Sequence, residues 1–165
     1  MRSCGFPTCR VFFGSREQAH PIRGEIALSD SWSVIDAELG THRLVGALRD
    51  GASELAGHPA YRHQAGIALV LEWPREDGMP GPEESARIYR LEDKIQAELE
   101  KENQSLLVAK WFVRGCRELV FYTTDVKAMS RRLDEIAAQG TSNRIQLTTN
   151  KDPDWKIFQT FAKAA

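Results

Sequence analysis

Hydrophobic and polar positions follow strand-like and helix-like periods from residue 32 onward, and they predict a mixed α+β domain. Two short strand-like runs, Trp32–Leu39 and Arg43–Leu48, flank Gly40-Thr41 and predict a β-hairpin. The almost continuously apolar run Ile67–Trp73 predicts a central strand covered by neighbours. Pro74 ends that strand because proline lacks the backbone donor that a sheet ladder needs.

A charged amphipathic helix is predicted directly after this strand. Pro82 suits the first helical position, where its missing N–H costs nothing. The apolar residues Ile88, Leu91, Ile95 and Leu99 recur at helical spacing and form one stripe. The helix is therefore expected to bury this stripe and to keep its charged residues in water.

The second half of the chain predicts a hairpin, a helix, a strand and a final helix. The hairpin strands are Leu106–Arg114 and Arg117–Thr124, joined by Gly115-Cys116 in a type II′ turn. Asp125 is the expected cap of the second helix, and Gly140 its end. The strand Arg144–Thr149 follows, and Asp152-Pro153-Asp154 opens the last helix.

This order of elements predicts the fold class. We expect a ferredoxin-like βαββαβ sandwich of the α+β class, with an added N-terminal β-hairpin and a C-terminal helix. Residues 1–30 have no sustained period and are predicted to form a poorly ordered N-terminal extension. Residues 31–165 are predicted to form a single α+β domain.

Composition excludes several function classes. A formal net charge of −1 provides no global field that would attract nucleic acid or an anionic membrane. No run approaches 18 consecutive apolar residues, so no membrane association is predicted. The odd number of cysteines, three, fits a reducing compartment better than a disulfide framework. The expected localisation is therefore cytoplasmic.

Recognisable catalytic or metal-binding chemistry is missing from the sequence. Cys4 and Cys9 have no second Cys/His pair nearby to complete a zinc site. The chain contains no GxSxG elbow, no Walker loop and no GxGxxG motif. We therefore expect no metal and no cofactor, and a binding protein rather than an enzyme.

The predicted second hairpin carries the most distinctive candidate surface. If its turn has two residues, Arg114 lies opposite Arg117, and Phe112 opposite Leu119. One face of the hairpin then interleaves basic and aromatic side chains, namely Lys110, Phe112, Arg114, Arg117 and Phe121. The other face, which includes Trp111 and Tyr122, is apolar enough to lie under the helices. The basic and aromatic face is therefore the candidate binding surface. The alternative is that it packs under the N-terminal hairpin or the last helix, or at a dimer interface.

Arg75 is the remaining candidate contact residue. It lies in the loop Arg75-Glu76-Asp77, between the predicted central strand and the first helix. Loops at strand ends often present binding groups, so Arg75 is expected to contact a partner or a small anion.

Three functions follow from these surfaces. The first is a regulatory module that binds an unidentified protein partner or a second copy of itself. The alternative is single-stranded RNA binding, since open sheets with aromatic and basic residues stack bases. The net charge and the departure of Arg114-Gly115-Cys116-Arg117-Glu118 from RNA-recognition motifs do not favour it. A small enzyme of unknown chemistry is the third.

Several segments together resemble a known family. They are Trp73–Pro80, Leu91-Glu92-Asp93, Arg117–Asp125, and Asp152–Trp155 followed by Phe158 and Phe161. In this order and spacing they resemble the bacterial family called domain of unknown function 695, over roughly Trp32 to Phe161. Some members are fused to a domain resembling the protein regulator of ribonuclease E, a ferredoxin-like protein inhibitor. The resemblance implies a regulatory binding module and brings no catalytic residues.

Overall fold

The structure is a computed structural model, and it describes residues 28–141 and 143–163. Its strands are β1 (Trp32–Leu39), β2 (His42–Arg49), β3 (His63–Val70), β4 (Ser105–Val113), β5 (Cys116–Thr123) and β6 (Ile145–Lys151). Its α-helices are α1 (Pro82–Leu99), α2 (Val126–Ala138) and α3 (Lys156–Ala162). Short 3-10 turns lie at Ala52–Leu55 and Lys101–Asn103.

The six strands form one antiparallel sheet in the order β1-β2-β4-β5-β3-β6. The predicted α+β class is confirmed, and so is the order of a hairpin, a β-α-β-β-α-β run and a last helix. Strands β3 and β5 lie side by side in the interior of the sheet, as expected. Within the described ranges, no helix is long and apolar enough to cross a membrane.

Helix α1 begins at Pro82 and ends at Leu99, as its sequence signals indicate. The predicted stripe of Ile88, Leu91, Ile95 and Leu99 is buried. Burial of these four side chains stabilises the helix by about 6–12 kcal/mol as an upper estimate, at about 1.5–3 kcal/mol each. The stripe therefore fixes which side of α1 faces the sheet.

Side-chain carboxylates cap the other two helices. Asp125 Oδ1 accepts hydrogen bonds from the backbone N–H groups of Lys127 and Ala128 at the start of α2. Asp152 accepts from the N–H groups of Lys156 and Ile157 at the start of α3. Each carboxylate satisfies donors that a helix N-terminus leaves unpaired.

Both faces of the sheet bury apolar side chains. We call the face covered by α1 and α2 the two-helix face; its core includes Ile67, Leu119 and Phe121. We call the other the α3 face; its core includes Trp111, Tyr122, Trp155 and Phe158. Trp155 stacks on Tyr122 with ring centroids 3.9 Å apart, which fixes α3 to the central strand β5. The sheet is thus covered on both sides of its central strands.

The structure corrects two predicted strand boundaries. Strand β3 begins at His63, four residues before the predicted start at Ile67, and it ends at Val70 rather than at Trp73. The β4–β5 turn consists of Arg114 and Gly115, not Gly115-Cys116, and both residues have positive φ, 52° and 73°. Positive φ at both turn positions is typical of a type I′ turn, which matches the twist of the two strands.

The predicted N-terminal extension falls mostly outside the described residues. The structure describes only residues 28–30 of the stretch 1–30. Of these, Leu28 packs on the α3-face core, and the Ser29 carbonyl accepts a 2.9 Å hydrogen bond from Arg49 Nε. The domain therefore includes the last residues that the sequence assigned to the extension.

Replacement of Gly46 by alanine should destabilise the domain. Gly46 lies opposite Trp111, and an added Cβ would overlap the Lys110 carbonyl and the Trp111 Cβ. Because those atoms belong to the backbone or adjoin it, the overlap is relieved only if the strand shifts. Such a shift should cost about 1–3 kcal/mol or more. Urea unfolding of Gly46→Ala against wild type measures this.

Gly81→Ala is the matched control. A Cβ at Gly81 meets nothing within 4 Å, and its φ of −72° suits any residue. Alanine lowers the conformational entropy of the unfolded chain, which stabilises the fold, but it is a poorer N-cap than glycine. The two effects roughly offset, so the free energy of unfolding should change by no more than about 0.5 kcal/mol. Equal stability of the two variants would contradict the proposed crowding at Gly46.

Candidate functional site

The structure separates the six predicted contact residues into a buried group and an exposed group. Phe112, Arg117 and Phe121 are buried, and Lys110 is partly buried. Arg114, in the β4–β5 turn, is exposed. Arg75, in the loop before α1, is also exposed, and its guanidinium lies 3.0 Å from Asp77 Oδ2.

The basic and aromatic face of the hairpin is covered, and the element that covers it is α1 rather than the N-terminal hairpin or the last helix. Because the turn is Arg114-Gly115, Phe112 pairs with Arg117 and Lys110 with Leu119. The side chains of Lys110, Phe112 and Arg117 share one face, as expected, but that face lies under α1 rather than opposite the helices. The apolar face of Trp111 and Tyr122 is covered by α3 instead.

A buried carboxylate on α1 accounts for the charges on the covered face. Glu92 Oε2 accepts a 2.7 Å hydrogen bond from Arg117 Nε, and Glu92 Oε1 lies 2.9 Å from Lys110 Nζ. The guanidinium of Arg117 also lies over the rings of Phe112 and Tyr89, at 4.5 and 5.6 Å from their centroids. Such cation–π contacts stabilise a desolvated cation further. We call Glu92, Lys110 and Arg117 the buried charge cluster.

The cluster shifts the pKa of its carboxylate. Burial alone acts to raise the pKa of Glu92, because it penalises the charged form. The hydrogen bonds and positive charges of Arg117 and Lys110 outweigh burial, so the pKa lies below its ordinary value. Glu92 is therefore ionised at neutral pH and holds both cations under α1.

Trp32 links the buried charge cluster to a second buried cation. Lys110 Nζ lies 4.3 Å from the Trp32 ring centroid, and the Arg49 guanidinium lies 5.6 Å from it. Arg49 is buried and bonds to Glu100 Oε1 at the end of α1, at 2.6 Å. The first two strands are thereby connected to α1 through charged and aromatic side chains.

An open surface begins where the helices stop. On the two-helix face, β1 and β2 extend beyond α1, because each added strand widens the sheet by about 4.8 Å. We call this surface the hairpin shelf; it consists of Trp32, Val34, Val45, Ala47 and Tyr89. Val34 is 80% exposed and Tyr89 is 47% exposed, whereas the other three are partly buried. The shelf is an apolar surface between a strand edge and the side of a helix.

The end of the shelf near the Gly40-Thr41 turn is acidic. Asp36 and Glu38 follow Val34 on the same face of β1. Asp36 makes a bidentate ion pair with Arg43 on β2, at 2.6 and 3.0 Å, and this hydrogen bonding lowers the pKa of Asp36. Glu38 has no ion-pair partner among the described residues. One guanidinium thus faces two carboxylates.

The loop before α1 approaches the same end of the shelf. Gly78 packs against the β4–β5 turn, where its carbonyl accepts a 3.2 Å hydrogen bond from the Gly115 N–H. The charge of Asp77 also acts on Arg43, adding to the effect of the Asp36 hydrogen bond in raising the pKa of Arg43. Arg75, the predicted contact residue, therefore lies in a loop beside the acidic end.

The remaining buried carboxylates serve structural hydrogen bonds. Glu118, on the α3 face of β5, accepts a 2.7 Å hydrogen bond from Trp111 Nε1, and burial raises its pKa. Tyr122 Oη donates to Asp152 at 2.7 Å. In residues 28–141 and 143–163, no cluster of three His, Cys, Asp or Glu side chains could hold a metal ion.

Sequence reasoning missed the hairpin shelf, although two signals point to it. Tyr89 is an aromatic residue beside Ile88 that does not belong to the apolar stripe of α1. In β1, both alternating sets contain large apolar residues, Trp32 and Val34 on one face and Ile35 and Leu39 on the other. An apolar residue on each side of an edge strand indicates a second contact surface.

Replacement of Glu92 by glutamine should expose the energetic role of the buried charge cluster. The loss of the carboxylate leaves Arg117 and Lys110 without their counter-charge, which should cost about 3 kcal/mol at neutral pH. Because the folded-state pKa of Glu92 is lowered, its stabilisation is present above the unfolded pKa and lost as the pH falls through the folded value.

Thermal unfolding of wild type and Glu92→Gln from pH 7 to pH 3 measures this difference. The two melting temperatures should begin to converge as the pH falls below about 4.3, the ordinary pKa of glutamate, and should meet only below the lowered folded-state pKa of Glu92. Glu98→Gln, on the exposed side of α1, is the control, since its ion pair with Lys101 is solvated. A gap that stays constant with pH would contradict this role for Glu92.

The comparison with known proteins identifies a family. A family model described as "Family of unknown function (DUF695)" matches residues 30–162, which is most of the chain. No curated protein and no solved structure matches the chain. The resemblance inferred from Trp73–Pro80, Arg117–Asp125 and Asp152–Trp155 is therefore confirmed, and the chain belongs to the DUF695 family.

Proposed function

We propose that this domain is a cytoplasmic module that binds another protein through the hairpin shelf. The observation that carries the proposal is the exposure of two large apolar side chains on the same side of the sheet, Val34 at 80% and Tyr89 at 47%. Contiguous apolar surface rimmed by polar residues marks interaction sites more often than single exposed side chains do. Arg43, Asp36 and Lys110 provide the polar rim.

The support beneath the shelf favours binding without large rearrangement. Tyr89 lies edge-on to Phe112, with ring centroids 6.1 Å apart, and over the guanidinium of Arg117. Trp32 is held between Lys110 and Arg49. Aromatic side chains that are already fixed lose little conformational freedom on binding, which leaves more of the contact free energy as affinity.

We further propose that β3-α1-β4-β5-α2-β6 is a ferredoxin-like unit with an added hairpin and last helix. Support comes from the order β4-β5-β3-β6 of its four strands, all antiparallel, and from α1 and α2 on the same face. In this description, the added β1–β2 hairpin widens the sheet and creates the shelf.

The RNA-binding alternative has no comparable support. It depended on an open face that presents Phe112, Phe121 and Arg117 to bases, whereas α1 and α2 cover that face. The opposite face of the same strands carries Trp155 and Phe158 of the C-terminal segment. Stacking of single-stranded bases needs exposed aromatic rings at such positions.

The variant Val34→Lys tests the proposed function. Its side chain is exposed, so the free domain should keep its stability within about 0.5 kcal/mol. Burial of Val34 in an interface is worth about 1.5–3 kcal/mol, so partner affinity should fall about tenfold or more. Recovery of partners from a native lysate by wild type and by the variant, with quantitative mass spectrometry, measures the loss.

The same experiment includes one control variant and one variant of the loop predicted from the sequence. Trp73→Lys changes an exposed aromatic residue, 66% exposed, outside the shelf, and should leave recovery unchanged. Arg75→Ala tests whether the loop predicted from the sequence takes part. Recovery that is equal for wild type and Val34→Lys, or the absence of any stoichiometric partner, would refute binding through the shelf.

A further inference from the structure

The outer edge of β1 offers unpaired backbone groups beside the hairpin shelf. Within the described residues, β1 pairs only with β2 and ends the sheet. The Ser31 carbonyl accepts a 2.9 Å hydrogen bond from the Asp50 N–H, so odd-numbered residues of β1 form the hydrogen-bonded pairs with β2. Residues of β1 at even positions therefore direct their N–H and C=O groups outward, because bonded and non-bonded pairs alternate in antiparallel ladders.

The same even positions carry the side chains of the shelf and its acidic end. Trp32 and Val34 provide the apolar part, and Asp36 and Glu38 the acidic part, all on one face of β1. A strand added to this edge would bond to the backbone of Val34 and Asp36 and would place every second side chain on the shelf. The edge and the shelf thus form one continuous binding surface.

Among the described residues, the apolar half of this edge shows none of the features that usually block strand addition. Natural edge strands are protected by lysines, prolines, bulges or coverage by other elements. Segment Trp32–Ile35 contains no lysine and no proline, and its register with β2 is unbroken. The opposite edge strand, β6, has no comparable large exposed apolar side chain.

The charges near the edge specify the chemistry of its partner. Among the described residues on this side of the sheet, Arg43 pairs with Asp36 and Arg75 with Asp77, while Glu38 has no ion-pair partner. Arg114, at the same end, acts on Glu118 on the opposite face. Strand β1 contains no basic residue, so the β1 of a second copy could not neutralise this end.

We propose that β1 accepts an extended segment of a partner protein in which basic residues precede apolar residues at alternate positions. Paired antiparallel to β1, its basic side chains lie opposite Glu38 and Asp36, and its apolar side chains lie opposite Val34 and Trp32. This inference rests on the proposed function, since it names the partner class for the hairpin shelf. Main-chain hydrogen bonds supply affinity, and the alternate side chains supply specificity.

A synthetic peptide tests the inference on the full chain. The probe is the fluorescein-labelled sequence Lys-Thr-Lys-Thr-Val-Thr-Val, and the control peptide has glutamate in place of both lysines. Fluorescence polarisation should detect the lysine peptide at protein concentrations below about 1 mM and should show weaker binding of the glutamate peptide. Hydrogen exchange at the amides of Val34 and Asp36 should slow when the lysine peptide binds.

Two charge-reversal variants complete the test. Glu38→Lys should lower the affinity for the lysine peptide about threefold to tenfold, as expected when an attractive cross-strand charge pair becomes repulsive. Glu54→Lys makes the same change in an exposed 3-10 turn outside the shelf and should leave binding unchanged.

The outcomes separate this inference from the proposed function. Absent binding, equal binding of both peptides, or unchanged exchange at Val34 would overturn the inference. A concentration-dependent dimer that Val34→Lys disrupts would also overturn it, because the occupant would be a second copy. The proposed function is judged separately, by the lysate experiment. If Val34→Lys no longer recovers the partner that wild type recovers, the proposed function stands even when the inference fails. If Val34→Lys still recovers it, the proposed function fails.

Discussion

The burial of one carboxylate, that of Glu92, determines how α1 lies on the sheet. Lys110 and Arg117 project from β4 and β5 into a layer that is otherwise apolar, and unpaired cations there would cost several kcal/mol each. Glu92 bonds to both, at 2.9 and 2.7 Å, and so makes it possible for α1 to cover them. The apolar stripe provides most of the free energy of burial, whereas Glu92 sets the register of the helix against the strands.

The same requirement explains the position of the hairpin shelf. Tyr89 precedes Glu92 by three residues and therefore lies one helical turn away on the same side of α1. With Glu92 held over Lys110 and Arg117, Tyr89 must lie at the margin of the helix, above Phe112, which pairs with Val45 of β2. The exposed surface that we propose for binding is thus positioned by a buried ion pair.

Local signals in the sequence predicted the elements but not the face of the sheet that the helices cover. Pro82, Asp125 and the stripe of α1 act within a few residues, so their effects can be inferred from sequence alone. Both faces of β4 and β5 carry large apolar side chains, and the charges of Lys110 and Arg117 on one face wrongly favoured the other as the face that receives α1. The turn misled the register because Arg114 adopts positive φ, which is uncommon outside glycine and asparagine. Glu92 resembled a solvated helix residue because its partners are distant in sequence.

The attachment of α3 has a consequence for the synthesis of the chain. Trp155 and Phe158 complete the core on the α3 face, and Asp152 joins the helix to Tyr122 of the central strand. These residues follow, along the chain, all the strands that they cover, so the strands are synthesised first. A nascent chain that ends before Trp155 therefore leaves Trp111 and Tyr122 uncovered, and the α3 face closes only when this segment has been made.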